Sequence, residues 1–549
     1  MERQKYLFRR QYILGPEYAY WLGNWSHYRL KRNLYLTAHP ELSVTTVSQE
    51  DDFLVLLGYI LDPFHPEKND QEILGDLFSK IVNPDDLFAM LDHMGGRFVL
   101  IGHIAGVLRV LNDAAGFRQV FYHTDQRKRI WCAGLPSLIA EQCGLEKDHS
   151  VCNELVRLPL FKNNESHWFP AGFSYYQNVF HLLPNHYLDM GSGSVRRFWP
   201  LEDIESRSSS DTVEYVSRIM EGMMESAAAR FEHLAIAITS GIDSRIILSA
   251  SRKICDRLIF FTYTHNELSP NGPDIAVPSS MLPHFGLKHT PVKGQGHEVD
   301  PTFMQLIYRN IPMPKMNQVR NAYTMHNYIQ KTGREFVVTN GTCGEITRNN
   351  YFIPKVLKLN GPLLAAIVGM RGSRFVSNAF SEWLDGIKDI VRKRSNKLDL
   401  FYWEQTVGNW AAMAYSEYDI SFESFSPQNC RSLLAASIGV NPCLRNPPKH
   451  KYQVSLIKAM WPEVLRWDIN PVPNKVDLLI QRCRRTPVHS FYKTIKLMPC
   501  SQTAVSLSRR IQFTDLLIRR RQDTMGEVRS ANKTALKKGA AKKKKVNCH

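Results

Sequence analysis

The stretch LAIAITSGIDSRIILSA, residues 234–250, runs an apolar strand pattern straight into a bend rich in glycine and hydroxyls, then into a helical pattern. The alternation continues. Residues 258–263 read as a second strand, 275–285 as a second helix, 289–292 as a short strand and 336–339 as a further central strand. Parallel strands need crossover connections, and strand–helix alternation at this spacing predicts a parallel, doubly wound α/β sheet.

The rest of the 549-residue chain follows other patterns. Residues 1–145 are β-rich, with short β-branched and aromatic runs split by Gly and Asp turns, which predicts a layered antiparallel β domain. Helices are expected over 71–81, 85–93 and 136–143, and a long one over 213–231. Beyond 355 the chain reads mainly helical, with loops at SFESFSPQNC and CLRNPPKH. The expected division is 1–150, a connecting segment 151–205 with short strands around turns such as LPNH and GSGS, the α/β domain 206–500, and 501–549. The last part holds an amphipathic helix over 504–520 and a disordered Lys-rich tail.

Composition narrows the class. Hydrophobic residues make up 44% and charged residues 22%, which excludes a mainly disordered chain. No apolar run is long enough to span a bilayer, and the basic start lacks a leader's apolar core, so a cytoplasmic protein is expected. The ten cysteines are scattered with no CxxC pair, which predicts reduced, mostly buried thiols. Of the net +17, ten charges fall in residues 509–549, where 13 Lys and Arg face 3 Asp and Glu. That tail is either solvated or a non-specific contact for anions such as nucleic acid or a membrane surface.

The bend Thr239-Ser240-Gly241-Ile242-Asp243-Ser244 has legible chemistry. Backbone N–H groups, three hydroxyls and a helix N-terminus together suit a pyrophosphate. Gly241 lets the backbone come close. Asp243 repels phosphate by itself but makes sense as a Mg²⁺ ligand. Arg245 adds positive charge nearby. The alternative is an ordinary N-capped turn between strand and helix. The bend is neither a P-loop nor a dinucleotide fingerprint.

The bend resembles the SGGxDS pyrophosphatase loop of the asparagine synthetase family, with Thr239 for the first Ser and Ser240 for the first Gly. FFTYTHNELSPNGPDIAVPSSMLPHFGLKH is similar to the family's adenine-facing strand and following helix, with Asp274 and His289 in register. VVTNGTCGEITRNNY resembles its second acidic loop, with Gly344 where the family has an aspartate and Glu345 retained. GGRFVLIGHIAGVLRVLNDAAGFRQVFYH resembles its glutaminase domain, with Asp113, Gly116 and Tyr122 in place. The likeness covers roughly residues 50–480.

The resemblance implies an N-terminal glutaminase-like (Ntn-hydrolase) domain and a C-terminal ATP-pyrophosphatase domain. It implies ATP and Mg²⁺, and an AMP-forming amide ligase that adenylates a carboxylate and passes it to ammonia or an amine. ATP would contact Thr239, Ser240, Gly241, Ile242, Asp243, Ser244, Arg245, Thr262 and Tyr263. Asp243 and Glu345 would hold Mg²⁺, with Arg348 neutralising phosphate or pairing with Glu345. Lys475, of the candidates Lys449, Lys451, Lys458 and Lys475, would face the transition state. The family's glutaminase nucleophile is an N-terminal cysteine, whereas this chain starts Met1-Glu2-Arg3, so no glutaminase activity is expected, as in the β-lactam synthetase branch. The alternative function is a degenerate member that binds nucleotide or a partner without turnover. Tyr415, Glu417, Tyr418, Asp419 and Glu423 form an acidic–aromatic patch that either faces an acceptor or packs a helix.

Overall fold

Strand β5 (Asp52–Leu61) pairs with β6 (Gly95–Ile104) over nine residue pairs, and both are buried almost throughout. A computed structural model describes residues 5–162, 166–264, 272–294, 298–351, 353, 357–447 and 449–471. Apart from 353, 357 and 358, which fall in a second unit, these residues belong to one compact unit. The side chains of β5 and β6 alternate between two cores. Val55, Leu57, Val99 and Ile101 face one, while Leu54, Leu56, Phe98 and Leu100 face the other.

This pair sits in the sheet ordered β12-β11-β7-β6-β5-β4, with β4 (Val44–Gln49), β7 (Val107–Asn112), β11 (His186–Asp189) and β12 (Val195–Arg197). A second six-stranded sheet is ordered β10-β8-β9-β1-β3-β2. Its strands are β1 (Tyr12–Gly15), β2 (Ser26–Lys31), β3 (Leu34–Ala38), β8 (Phe121–Thr124), β9 (Ile130–Ala133) and β10 (Phe180–His181). One core, which includes Tyr12, Leu14, Val55, Ile101 and Cys132, lies between the sheets. Outside one sheet, Ile73, Leu74 and Leu77 of helix α1 (Asp70–Lys80) cover Leu54 and Leu56. Outside the other, Leu138 and Ile139 of α2 (Pro136–Cys143) cover Ile13 and Trp131. The layers run helix, sheet, sheet, helix, as a layered antiparallel β domain requires. The short strands expected in the connecting segment 151–205 are β10, β11 and β12, and they join these sheets.

The third sheet is parallel throughout and ordered β15-β14-β13-β16-β17. Its strands are β13 (Leu234–Ala237), β14 (Ile259–Thr264), β15 (His289–Lys293), β16 (Val337–Thr339) and β17 (Glu423–Phe425). β17 lies in SFESFSPQNC, which the sequence pattern predicts to be a loop. Three residues are too few to show an alternating pattern, and pairing with β16 overrides local composition. Helix α3 (Ser209–Arg230) buries Val216, Ile219, Met220, Met223 and Ala227 at helical spacing. Its Ser226 hydroxyl donates to the Asp62 carbonyl at 2.8 Å, which ties it to the end of β5.

The antiparallel and parallel sheets meet across buried charge. Arg97 donates to Asp419 at 2.5 and 2.8 Å and to Glu423 at 2.6 Å, and Arg118 donates to Glu423 at 2.8 Å. The Arg10 guanidinium donates to the Asp419 carbonyl at 2.8 Å. Asn429 joins the carbonyl of Gly96 and the carboxylate of Asp113. The acidic–aromatic patch is therefore a packing site rather than an acceptor site. Tyr415 stacks on Phe117 with centroids 4.0 Å apart, and Glu417 pairs with Lys315 with both side chains fully buried. Among the described residues no helix is long and apolar enough to cross a membrane. The seven described cysteines are all free, and four of them are buried.

Candidate functional site

The chain reverses its winding between β13 and β16, and in open α/β sheets a crevice forms at the carboxyl ends of strands at such a point. The bend after β13 and the loop after β16 both lie there. The bend opens helix α4 (Ile242–Ala250), whose N-cap Gly241 is extended and carries no side-chain cap. Amide N–H groups of its first turn thus lack the usual capping oxygen. The second loop comes so close that a Cβ on Gly341 would lie 2.6 Å from Cβ of Asp243. Only glycine permits that approach without a shift.

Inside the bend, hydroxyls hold the backbone. The Ser244 hydroxyl takes the Thr239 N–H at 3.2 Å, and the Thr239 hydroxyl takes the Gly241 N–H at 3.1 Å. Ser240 donates its N–H and its hydroxyl to one carboxylate oxygen of Asp274, at 3.1 and 2.7 Å. Asp274 lies in the first turn of the helix Pro273–His284, so a carboxylate already rests against part of the anion-attracting surface. Ile242 is buried and offers only its backbone.

Both carboxylate oxygens of Asp243 face Arg348. Arg348 donates from Nε to Oδ1 at 3.1 Å, and its Nη2 forms an ion pair with Oδ2. Arg348 Nη2 stands 4.0 Å from Glu345, so the guanidinium serves Asp243 first. Glu345 accepts the Tyr402 phenol on its other oxygen. Burial pushes the Glu345 carboxyl up and the Arg348 guanidinium down. At Gly344, where the resembled family has an aspartate, a Cβ would lie 2.5 Å from the Gln428 amide, so that side chain fills the place of the missing carboxylate.

Arg245 does not join this group, contrary to expectation. It is fully buried, and its guanidinium donates to the carbonyls of Val464, Trp467 and Asp468 at 3.2, 2.6 and 2.7 Å. At i+2 from Asp243 it leaves the helix on another side. Thr262 spends its hydroxyl on the Ile238 carbonyl at 2.5 Å and meets His289 Nε2 at 2.9 Å, while Ser279 meets His289 Nδ1 at 2.9 Å. These residues lace β13, β14 and β15 together. Tyr263 packs edge-on against Phe261 at 5.0 Å, within the core of Val338, Met325 and Phe422. Lys475 lies outside the described residues, and Lys449, Lys451 and Lys458 are exposed.

Sequence reasoning missed His450. It is 8% exposed, sits at φ +41° ahead of the helix Lys451–Met460, and has an Nδ1 with no partner. Burial lowers its pKa, and the charge of Arg348 lowers it further. A lone histidine in a proline-bearing loop gives no signal. An apolar cavity lined by Phe121, Phe169, Phe173, Tyr175, Ile311 and Met413 lies elsewhere and includes none of these residues.

The donor set does not fit a protein-held Mg²⁺. Among the described residues no group of three or more His, Cys, Asp or Glu converges to hold a metal. Asp243 is committed to Arg348, Glu345 to Tyr402, and Gly344 supplies nothing. The groups there that suit an anion are the uncapped first turn of α4 and the partly exposed guanidinium of Arg348.

No protein-family model and no curated protein matches the chain. Among solved structures it is similar to one titled the allosteric regulatory enzyme of purine biosynthesis, at 10% identity over 53% of this chain and 70% of that one, with a TM-score of 0.23. It is also similar to glutamine phosphoribosylpyrophosphate amidotransferase from B. subtilis, complexed with ADP and GMP, at 11% identity over 62% of this chain and 76% of that one, with a TM-score of 0.23.

Proposed function

We propose that the chain is an ATP-dependent, AMP-forming amide ligase of the asparagine synthetase type, working on a carboxylate and a nitrogen donor in the cytoplasm. The observation that supports it most is the meeting of the 239–244 bend with the 341–348 loop at the reversal point of a parallel sheet. ATP is a co-substrate in this reading. The bend and the first turn of α4 hold its leaving pyrophosphate, and the tight approach at Gly341 fixes the distance between the loops. The chain's contribution is positioning and charge complementarity. The free thiols support a reducing compartment.

The test is exchange of labelled pyrophosphate into ATP, run over a panel of amino-acid, uronic-acid and peptide carboxylates with hydroxylamine as a trapping amine. Exchange that depends on one carboxylate supports the ligase. A second reading, nucleotide binding without turnover, is favoured by the Asp274 carboxylate resting on Ser240 and by the absence of an aspartate at Gly344. ATP binding with no exchange for any carboxylate supports that reading instead.

A further inference from the structure

The ordinary solution to a triphosphate beside an acidic loop is a metal held by two or three carboxylates. Here the geometry points to a different one: we propose that Arg348, oriented by Asp243, is the fixed cation of the phosphate site, so that this protein binds ATP without a protein-held metal. The inference rests on the nucleotide reading above and deepens it.

Two observations carry it. Asp243 engages the guanidinium through Nε and Nη2 only. Nη1 has no hydrogen bond among the described residues, and the side chain keeps 19% of its surface exposed. A guanidinium held along one edge by a carboxylate presents its other edge in a set direction, which suits a phosphate oxygen. Next, Gln428 fills the space at Gly344 where a second metal-binding carboxylate would stand. A neutral amide there leaves Arg348 with one carboxylate partner at hydrogen-bond distance.

Asp243 is thus a positioning residue rather than a metal ligand. Substitutions separate the two roles. In Arg348→Met, Asp243 loses its partner and faces the phosphates alone, so metal-free ATP is repelled and Mg²⁺ becomes necessary. In Asp243→Asn, a negative charge leaves the site while Arg348 stays.

The experiment is calorimetric titration of the full chain with ATP, once in EDTA and once in excess MgCl₂, for the parent, Arg348→Met, Arg348→Lys and Asp243→Asn. Thermal unfolding of each variant confirms that it is folded. The parent is expected to bind ATP with affinities that differ by less than about threefold between the two conditions. Arg348→Met is expected to lose about tenfold or more in EDTA and to recover part of it in Mg²⁺, with Arg348→Lys between it and the parent. Asp243→Asn is expected to keep binding in EDTA. Parent binding that requires Mg²⁺ and is abolished by Asp243→Asn overturns the inference and leaves the ligase reading standing. No ATP binding by the folded parent in either condition overturns both.

Discussion

Replacing Arg97 by Met tests whether buried charge joins the antiparallel and parallel sheets. Arg97 is 1% exposed and donates to Asp419 through both terminal nitrogens, to Glu423 through one of them, and to the Phe117 carbonyl through Nε at 3.1 Å. Met approximates its aliphatic volume but leaves two buried carboxylates. Of the neighbouring arginines, Arg118 is bonded to Glu423 at 2.8 Å but stands 3.9 Å from Asp419. Removing one partner of a buried pair costs about 3–5 kcal/mol. Because Arg118 and Arg10 remain, the lower half of that range is expected. The assay is urea unfolding followed by tryptophan fluorescence, read as a fall in midpoint at constant slope. Arg97→Met/Asp419→Leu should recover part of the loss, because the stranded charge goes too. The effect also has a pH signature. Burial alone would raise the Glu423 carboxyl, but Arg118, Arg97 and Arg10 outweigh it and hold it well below the usual carboxylate range. A carboxyl lowered by folding stabilises above its unfolded pKa of about 4.3, and that contribution is lost as the pH falls further. The gap between parent and Arg97→Met should therefore narrow below about pH 4. A penalty under about 1 kcal/mol at pH 7 would refute the reasoning, since that is the worth of an exposed pair.

Two further outcomes follow from buried polar groups. Gly344→Asp should destabilise by about 1–3 kcal/mol, because the new Cβ lies 2.5 Å from Gln428, and Gln428→Ala should rescue it; equal losses with and without the second change, in the same unfolding assay, would show that the amide does not fill that space. Burial pushes the Glu417 carboxyl up to about 7 despite Lys315. A carboxyl raised by folding makes stability fall as pH rises from about 4.5 towards 7, by up to about 1.4 kcal/mol per pH unit. Lys315→Met/Glu417→Gln should flatten that slope and leave stability at pH 7 equal or higher, which unfolding curves across this range would read directly.

The repeated apolar runs from 234 to 339 made the parallel sheet legible, because each strand there is followed by a helix or turn that marks its end. The layered character of residues 1–145 was legible for a similar reason. β17 was not, since three residues owe their strand form to β16. The short strands between 180 and 197 were legible around their turns, but their places at the margins of the two sheets were not, because pairing with distant strands leaves no local trace. In the candidate site, Asp243 and the bend stood out by chemistry. Arg245 misled because spacing along a helix does not fix which neighbour a long side chain reaches. Arg348 was visible only as a charge, and its choice of Asp243 over Glu345 depends on a glycine approach that no local pattern encodes. His450 carried no sequence signal.

β10, β11 and β12 reach the outer margins of the two antiparallel sheets only after the chain has left its main β-rich stretch. A fragment cut at residue 150 would strip those margins and bare the hydrogen-bonding rims of β7 and β8. Such rims recruit strands from other molecules. Anyone excising this part of the protein should carry it through Arg197, or expect self-association in place of a tractable monomer.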